Sequence, residues 1–343
     1  MNFLRYCLIL GILVLSTGIV FSQNADLNRI PNQENRMIDT AIMDNGDSLN
    51  TEIAGRWAYG PCKALTTNGT YAYCSNGGYL DIVDVSGVPS STGKVALPEP
   101  LYNVVVSGNY AYVADGQSGL RIIDISTPAT PFEVGHYNTN GTAYDVVYAS
   151  DTVYVADGAG GLKVIDVSTK TAPTLVGLYS TGGIARSIDF CDYNIQGKHV
   201  LVSYYSDNHV VTDDGVRIFD VTDAENINQP GNIFLTKDKA WDIKIGTRTL
   251  DPDTLAFVAD GDSGLMMIDI SDPTSFAQTG TSYDATFEVL SVDYMSAAEQ
   301  VLLSAGENGL VTVDVSAADP AGLGNLDTDG NATGVAFLIT DAY

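Results

Sequence analysis

"YVADGAGGLKVIDVS" (residues 154–168) reads as two short β-rich runs joined by a glycine-rich turn, and the chain writes it more than once. Forty-two residues earlier stands "YVADGQSGLRIIDIS" (112–126), and later "FVADGDSGLMMIDIS" (257–271). Each copy ends on Asp followed two residues on by Ser. Set in register on that Asp, the units end at Asp84, Asp124, Asp166, Asp220, Asp269 and Asp314, with steps of 40, 42, 54, 49 and 45 residues. Fixed-period self-similarity of this length belongs to propeller blades or to helical arrays, and strand content separates the two.

The third unit separates them. "TAYDVVYAS" (142–150) and "DTVYVAD" (151–157) are strand-like runs around a tight polar turn; "GLKVIDVS" (161–168) is a third, and "PTLVGLYS" (173–180) a fourth after a Pro-containing loop. Val, Ile and Tyr favour a pleated surface, and no stretch after residue 53 keeps a 3.6-residue apolar period. The sequence therefore predicts an all-β chain, a β-propeller of four-stranded antiparallel blades. "TEIAGRWAYG" (51–60) matches a fourth strand and "ATGVAFLITDAY" (332–343) a first strand. Together they give a seven-bladed ring whose last blade lacks its two middle strands; a six-bladed ring with two spare end strands is the alternative.

The residues that carry the repeat also carry a resemblance. "GLRIIDIS", "GLKVIDVS", "GLMMIDIS" and "GLVTVDVS" (309–316), each shortly after Asp-Gly or a close variant, resemble the LVIVD repeat family of bacterial and archaeal surface propellers. The resemblance spans roughly residues 53–340, with unit four departing through the insertion "SYYSDNHVVTDDG" (203–215). It implies an extracellular propeller and does not imply an activity.

Three regions follow. Residues 1–22, with Arg5 ahead of an apolar run from about Cys7 to Phe21 and a small residue at Ser22, have the layout of a secretory signal peptide. The run is short for a transmembrane helix, which needs roughly 20 apolar residues, so no membrane span is expected once it is cleaved. Residues 23–52 are a polar spacer rich in Asn and Asp, and residues 53–343 are the propeller. Forty-two acidic residues against sixteen basic ones give a formal charge of -26. That charge repels phosphate backbones and removes nucleic acid as a partner. Cys62 and Cys74 fall nearly opposite each other across the turn Asn68-Gly69; a bridge between them stays open after export, subject to strict disulfide geometry.

The recurring Asp is read as a turn holder. At the end of a strand its carboxylate can accept the N–H two residues on, an Asx-turn, and a residue present in every blade serves architecture. This covers Asp84, Asp124, Asp166, Asp220, Asp269 and Asp314. The Asp-Gly pairs at Asp115, Asp157 and Asp260 read as hairpin turns. "DTDGN" (327–331) has alternating oxygen ligands suited to calcium but lacks the distal Glu of the EF-hand loop; no other cofactor is indicated.

Positions that differ between blades point to function. Just inside each first strand stand Lys63, Tyr102, Tyr144, Arg186, Trp241, Leu290 and Thr333, followed by Ala64, Asn103, Asp145, Ser187, Asp242, Ser291 and Gly334. On a propeller these fall at one mouth of the central channel, beside the insertion with Tyr205, Asp207, His209 and Asp214. The candidate ligand-binding set is therefore Tyr102, Tyr144, Asp145, Arg186, Tyr205, Asp207, His209, Asp214, Trp241 and Asp242, since aromatics and Arg at a concave site are common recognition anchors. The same residues also read as a channel plug beside a solvated loop. No "GxSxG", "HExxH" or phosphate loop occurs. The expected function is an exported, non-enzymatic propeller, secreted or on the cell surface, that binds an extracellular protein or glycan. The alternatives are a metal-dependent hydrolase or lyase at the mouth, and a structural surface-layer or adhesion component.

Overall fold

A computed structural model of the chain describes residues 12–15, 18–22 and 63–338, apart from 87–88, 193–196, 207–213, 225, 228–232, 249–253, 280–281, 297, 318, 327–331 and 333. The described residues contain strands and turns but no helix. Six antiparallel four-stranded meanders follow one another along the chain at 65–96, 103–137, 145–179, 184–235, 242–278 and 291–326. The innermost strands of these blades are Leu65–Asn68, Asn103–Ser107, Asp145–Ala149, Ile184–Cys191, Asp242–Thr247 and Ser291–Met295. Each contacts the innermost strand of the next blade, and Val335–Leu338 stands between the sixth and the first. The circuit closes on seven strands. The chain is a β-propeller.

Alternation along each strand builds the core between blades rather than within them. In the third blade Leu162 and Val164 pack toward blade four, with Ile188, Val200, Val202 and Phe219. Ile165 and Val167, one residue out of phase, pack toward blade two with Tyr112, Ala114 and Ile122. Lys163 shares that second face, and it is buried because its ammonium lies 3.2 Å from an Asp157 carboxylate oxygen. Arg121 repeats this one blade earlier, with Nε 3.3 Å from Asp115.

The Asp-Gly turn does more than reverse the chain. In "DGAGG", Gly158 (φ 56°) and Gly161 (φ 71°) both take the left-handed conformation that glycine adopts without strain. A Cβ on Gly161 would lie 2.3 Å from the Tyr179 carbonyl oxygen, so no side chain fits there. Held this way, the turn reaches the next blade. The Ala185 N–H donates to the Gly158 carbonyl at 3.0 Å and the Gly158 N–H to the Ala185 carbonyl at 3.2 Å. Equivalent bridges join Gly116 to Ala143, Gly261 to Val289 and Gly306 to Ala332.

At the far end of each third strand the recurring Asp makes one repeated contact. The backbone N–H two residues on donates to the carboxylate of Asp84 (2.8 Å), Asp124 (2.8 Å), Asp166 (2.7 Å), Asp220 (2.9 Å), Asp269 (2.9 Å) and Asp314 (2.9 Å).

The seventh sheet has three strands. Val335–Leu338 pairs with Gly18–Ser22, which pairs with Ile12–Leu15. Strands Ile12–Leu15 and Gly18–Ser22 thus occupy the two middle positions that the sequence reading leaves empty. Residues 51–60, expected to supply the outermost strand, lie outside the described residues, as does Cys62. Cleavage near Ser22 would remove both N-terminal strands and leave Val335–Leu338 as an open edge. A chain that begins at Gln23 should melt at a lower temperature than one retaining residues 1–22, because exposed edge strands lose their pairing. Equal melting of the two forms would mean that the N-terminal strands add nothing to the seventh sheet.

Candidate functional site

The innermost strand of a blade has one edge paired and one edge facing the channel, so its channel-side N–H groups need other acceptors. The residue after each mouth position supplies them. Asp145 accepts from its own neighbour Val146 N–H (2.7 Å) and, across the blade boundary, from Ile188 N–H (2.9 Å) and Ser187 Oγ (2.6 Å). The Asn103 side-chain amide donates to it from the other side. Asp242 repeats the arrangement with Ile243 N–H (2.9 Å), Val292 N–H (3.0 Å), Ser187 Oγ (2.6 Å) and Ser291 Oγ (2.6 Å). Asn103, Asp145, Ser187, Asp242 and Ser291 therefore form a hydrogen-bonded belt through blades two to six, which Ala64 and Gly334 cannot extend.

Deeper in the channel Asp189 does the same for Phe190 N–H (2.9 Å) and Ile245 N–H (2.8 Å). Lys244 stands next to it, Nζ 3.9 Å from Asp189 Oδ2. The Asp189 carboxylate, with Asp293, Asp242 and Asp145 beyond it, holds the lysine above its ordinary range despite partial burial.

Above the belt the mouth residues make an arc. Lys63 Nζ lies 4.5 Å from the Tyr102 ring centroid. Tyr102 meets Tyr144 edge to face at 5.1 Å, and the Arg186 guanidinium lies 4.5 Å from the Tyr144 centroid and 5.9 Å from that of Trp241. Tyr205 packs at 4.9 Å against Trp241, and Lys239 Nζ is 5.6 Å from Tyr205 and 5.3 Å from Trp241. The Asp-Gly turns seat the rings: a Cβ on Gly116 or Gly158 would approach Tyr102 or Tyr144 to 3.2 Å. Five of the sequence-chosen residues, Tyr102, Tyr144, Arg186, Tyr205 and Trp241, come together here, all half-buried.

The carboxylates chosen with them are employed otherwise. Asp145 and Asp242 carry the belt, and their oxygens are taken by strand edges and serines. Asp214 is buried at the base of the insertion, where its side chain accepts from the Ser206 N–H. Asp207 and His209 lie outside the described residues, as does the "DTDGN" segment. No group of three or more metal-ligating side chains occurs among the described residues. Sequence reasoning passed over Lys239, two residues before Trp241, because a lone loop lysine has no pattern. It also passed over Lys244 and Asp189, whose pairing crosses a blade boundary.

A family model for the LVIVD repeat matches residues 60–94, 102–139, 140–181 and 254–284. The chain carries LVIVD repeats. The LVIVD model thus meets blades one, two, three and five, and passes over blade four with its insertion and blade six, where the "GLVTVDVS" stretch lies. None of the curated proteins compared with the chain matches it. Among solved structures it is similar to Sqt1 of Saccharomyces cerevisiae, with a TM-score of 0.61 and 9% identity over 85% of this chain and 78% of that one. It is also similar to the computationally designed protein Ika8, with a TM-score of 0.54 and 8% identity over 83% and 95%. At such identities the likeness is one of fold alone. LVIVD repeats are associated with secreted proteins. Among the described residues no helix is long and apolar enough to cross a membrane, which says nothing of a β-barrel.

Two predictions follow from the buried acids. Asp145→Ala leaves two N–H groups and an amide without their acceptor, while the Ser187 hydroxyl keeps Asp242. At roughly 1–3 kcal/mol for each buried group left unmet, the net loss should reach about 3 kcal/mol in denaturant unfolding. A loss below about 1 kcal/mol would show that the belt does not hold the blades.

The second concerns pH. Burial pushes Asp260 up to about 7 and Asp115 and Asp145 up to about 6, in spite of their hydrogen bonds and the Arg121 charge beside Asp115. Unfolded carboxylates titrate near about 4, so between about pH 4 and 7 the folded chain binds more protons and its stability rises as pH falls. Asp84 and Asp272 pull the other way at lower pH, since bonds from Ser86 and Thr274 hold them below the usual range. Melting temperature should therefore climb from pH 7.5 to about 5 and fall in stronger acid. A melting temperature that drops between pH 7.5 and 5 would contradict this assignment.

Proposed function

We propose that the chain is an exported, non-enzymatic propeller that binds a glycan or protein outside the cell, at the channel mouth formed by blades two to five. One observation carries this reading: four aromatic side chains and two cations, Arg186 and Lys239, interleave in a continuous half-buried arc. A channel plug would need apolar bulk alone. Cations at that position give the mouth hydrogen-bond donors beside its ring faces.

Export rests on the leader-like residues 1–22 and on the association of the repeat with secreted proteins. The hydrolase alternative loses support because Asp145 and Asp242 spend their oxygens on the belt. An ion bound there would have to break bonds that join three blades.

The test uses the mature chain on a glycan array and in pull-down from conditioned medium, with Trp241→Ala and His136→Ala beside it. Trp241→Ala should weaken any captured ligand by about 2 kcal/mol or more, as central aromatic anchors do. His136 lies half-exposed on the outermost strand of blade two, bonded to Glu133 at 2.7 Å, and its loss should change nothing. A loss at His136 with Trp241 silent would move the site to the outer rim. A propeller serving only as a spacer would capture nothing that either variant affects.

A further inference from the structure

Four cations elsewhere in the fold are answered by acids. Arg121 has Asp115, Lys163 has Asp157, Lys170 has Asp151 at 2.7 Å, and Lys244 has Asp189. In a chain with forty-two acidic residues to sixteen basic ones, such partners are abundant. Arg186 and Lys239 depart from this pattern. Among the described residues neither makes a hydrogen bond or an ion pair, and their contacts are ring faces alone. Both stand within 5.9 Å of the Trp241 ring centroid, so two like charges flank one indole. The indole N–H itself is buried and has no acceptor among the described residues.

A guanidinium fork and an ammonium stand beside one indole, and among the described residues neither is bonded to an acceptor. Bringing two cations to one ring costs Coulomb energy, and an oxyanion bound to them would relieve it. Arg and Lys bonds to a carboxylate are charge-assisted and about twice as strong as neutral ones.

Resting on the mouth reading above, we infer that the ligand is an acidic glycan, held through a carboxylate by Arg186 and Lys239 beside the Trp241 ring. Arg186 and Lys239 bring donors only, and the tyrosine hydroxyls of the mouth can turn either way, which suits a ligand whose polar atoms are all oxygens, because glycan hydroxyls can accept. A peptide brings an N–H at nearly every residue, and the carboxylates nearest the mouth, Asp145 and Asp242, are already engaged by the belt. The overall charge of -26 does not forbid this. Repulsion from acids beyond the Debye length, about 8 Å at physiological salt, is largely screened, while contacts inside the mouth are not.

The experiment is calorimetric titration of the mature chain with four probes. They are an oligogalacturonate, the same oligomer fully methyl-esterified, free galacturonate and polyglutamate. The acid oligomer should bind, and its ester should bind about tenfold more weakly or worse, a difference of one charge-assisted contact. Arg186→Gln and Lys239→Gln should each lose about tenfold for the acid form while leaving the ester unchanged. If Arg186→Gln melts below the parent, Arg186→Lys keeps the charge and should retain most of the binding. Free galacturonate binding as tightly as the oligomer would make the ligand a small organic acid and overturn the glycan assignment. Acid and ester binding equally, with the Gln variants silent, would remove the anion contact but leave a glycan-binding mouth. Tight binding of polyglutamate lost in Arg186→Gln would assign an acidic protein instead. No binding of any probe at millimolar concentration would exclude the anion site.

Discussion

A propeller blade ends, at the axis, in a strand with one unpaired edge, and everything near the axis of this molecule answers that constraint. Water in a narrow channel can serve some of those N–H groups, but a fixed carboxylate serves two at once. Asp145, Asp189 and Asp242 each bond to the next N–H of their own strand and to a backbone N–H of the innermost strand one blade on. The interaction that covers an edge is therefore also the one that sets the angle between blades. Serines at 187 and 291 extend it: the Ser187 hydroxyl lies 2.6 Å from a carboxylate oxygen of Asp145 and of Asp242 and gives its one hydrogen to either in turn.

The mouth inherits its geometry from this belt. Tyr102, Tyr144 and Trp241 each precede a belt residue and donate their own N–H to the second strand of their blade, at 2.8, 2.9 and 2.9 Å. Their side chains are thus delivered at matching heights around the axis, spaced by the width of a blade. Neighbours in such a ring touch only if they are long, and Tyr, Arg and Trp are long enough. The arc needs no loop to organise it. Only Tyr205, at the start of the blade-four insertion, and Lys239, on an inter-blade connection, come from outside the ring.

The repeat made the fold legible, since strand-rich units ending on Asp-x-Ser or Asp-x-Thr admit few architectures. The Asx-turns at Asp166 and its counterparts could be read locally, because donor and acceptor are two residues apart. Position around the axis was legible as well, which is how Tyr144, Arg186 and Trp241 could be grouped. What those positions do was less so. Asp145 and Ser187 are forty-two residues apart in sequence, and nothing in either neighbourhood says that they bond. The Asp-Gly pair looks like any hairpin turn, and its bridge to the next blade becomes visible only when Ala185 stands beside Gly158.

Difference between blades is therefore an incomplete guide to function. Asp145 and Asp242 vary around the ring as much as Arg186 and Trp241 do, yet their variation belongs to the belt, where acceptors alternate with serine donors. The two groups part on a different criterion, the hydrogen-bonding capacity left over once the fold is complete. A belt carboxylate has nothing left: its oxygens face strand edges and hydroxyls, and burial raises the pH at which Asp145 ionises. Arg186 and Lys239 leave their donors unspent among the described residues, beside an indole N–H in the same condition. A fold that pairs Arg121, Lys163 and Lys170 with acids, and has acids in excess, had ready means to neutralise these two. Their remaining unpaired is the physical difference between a side chain that holds the ring together and one held ready by it.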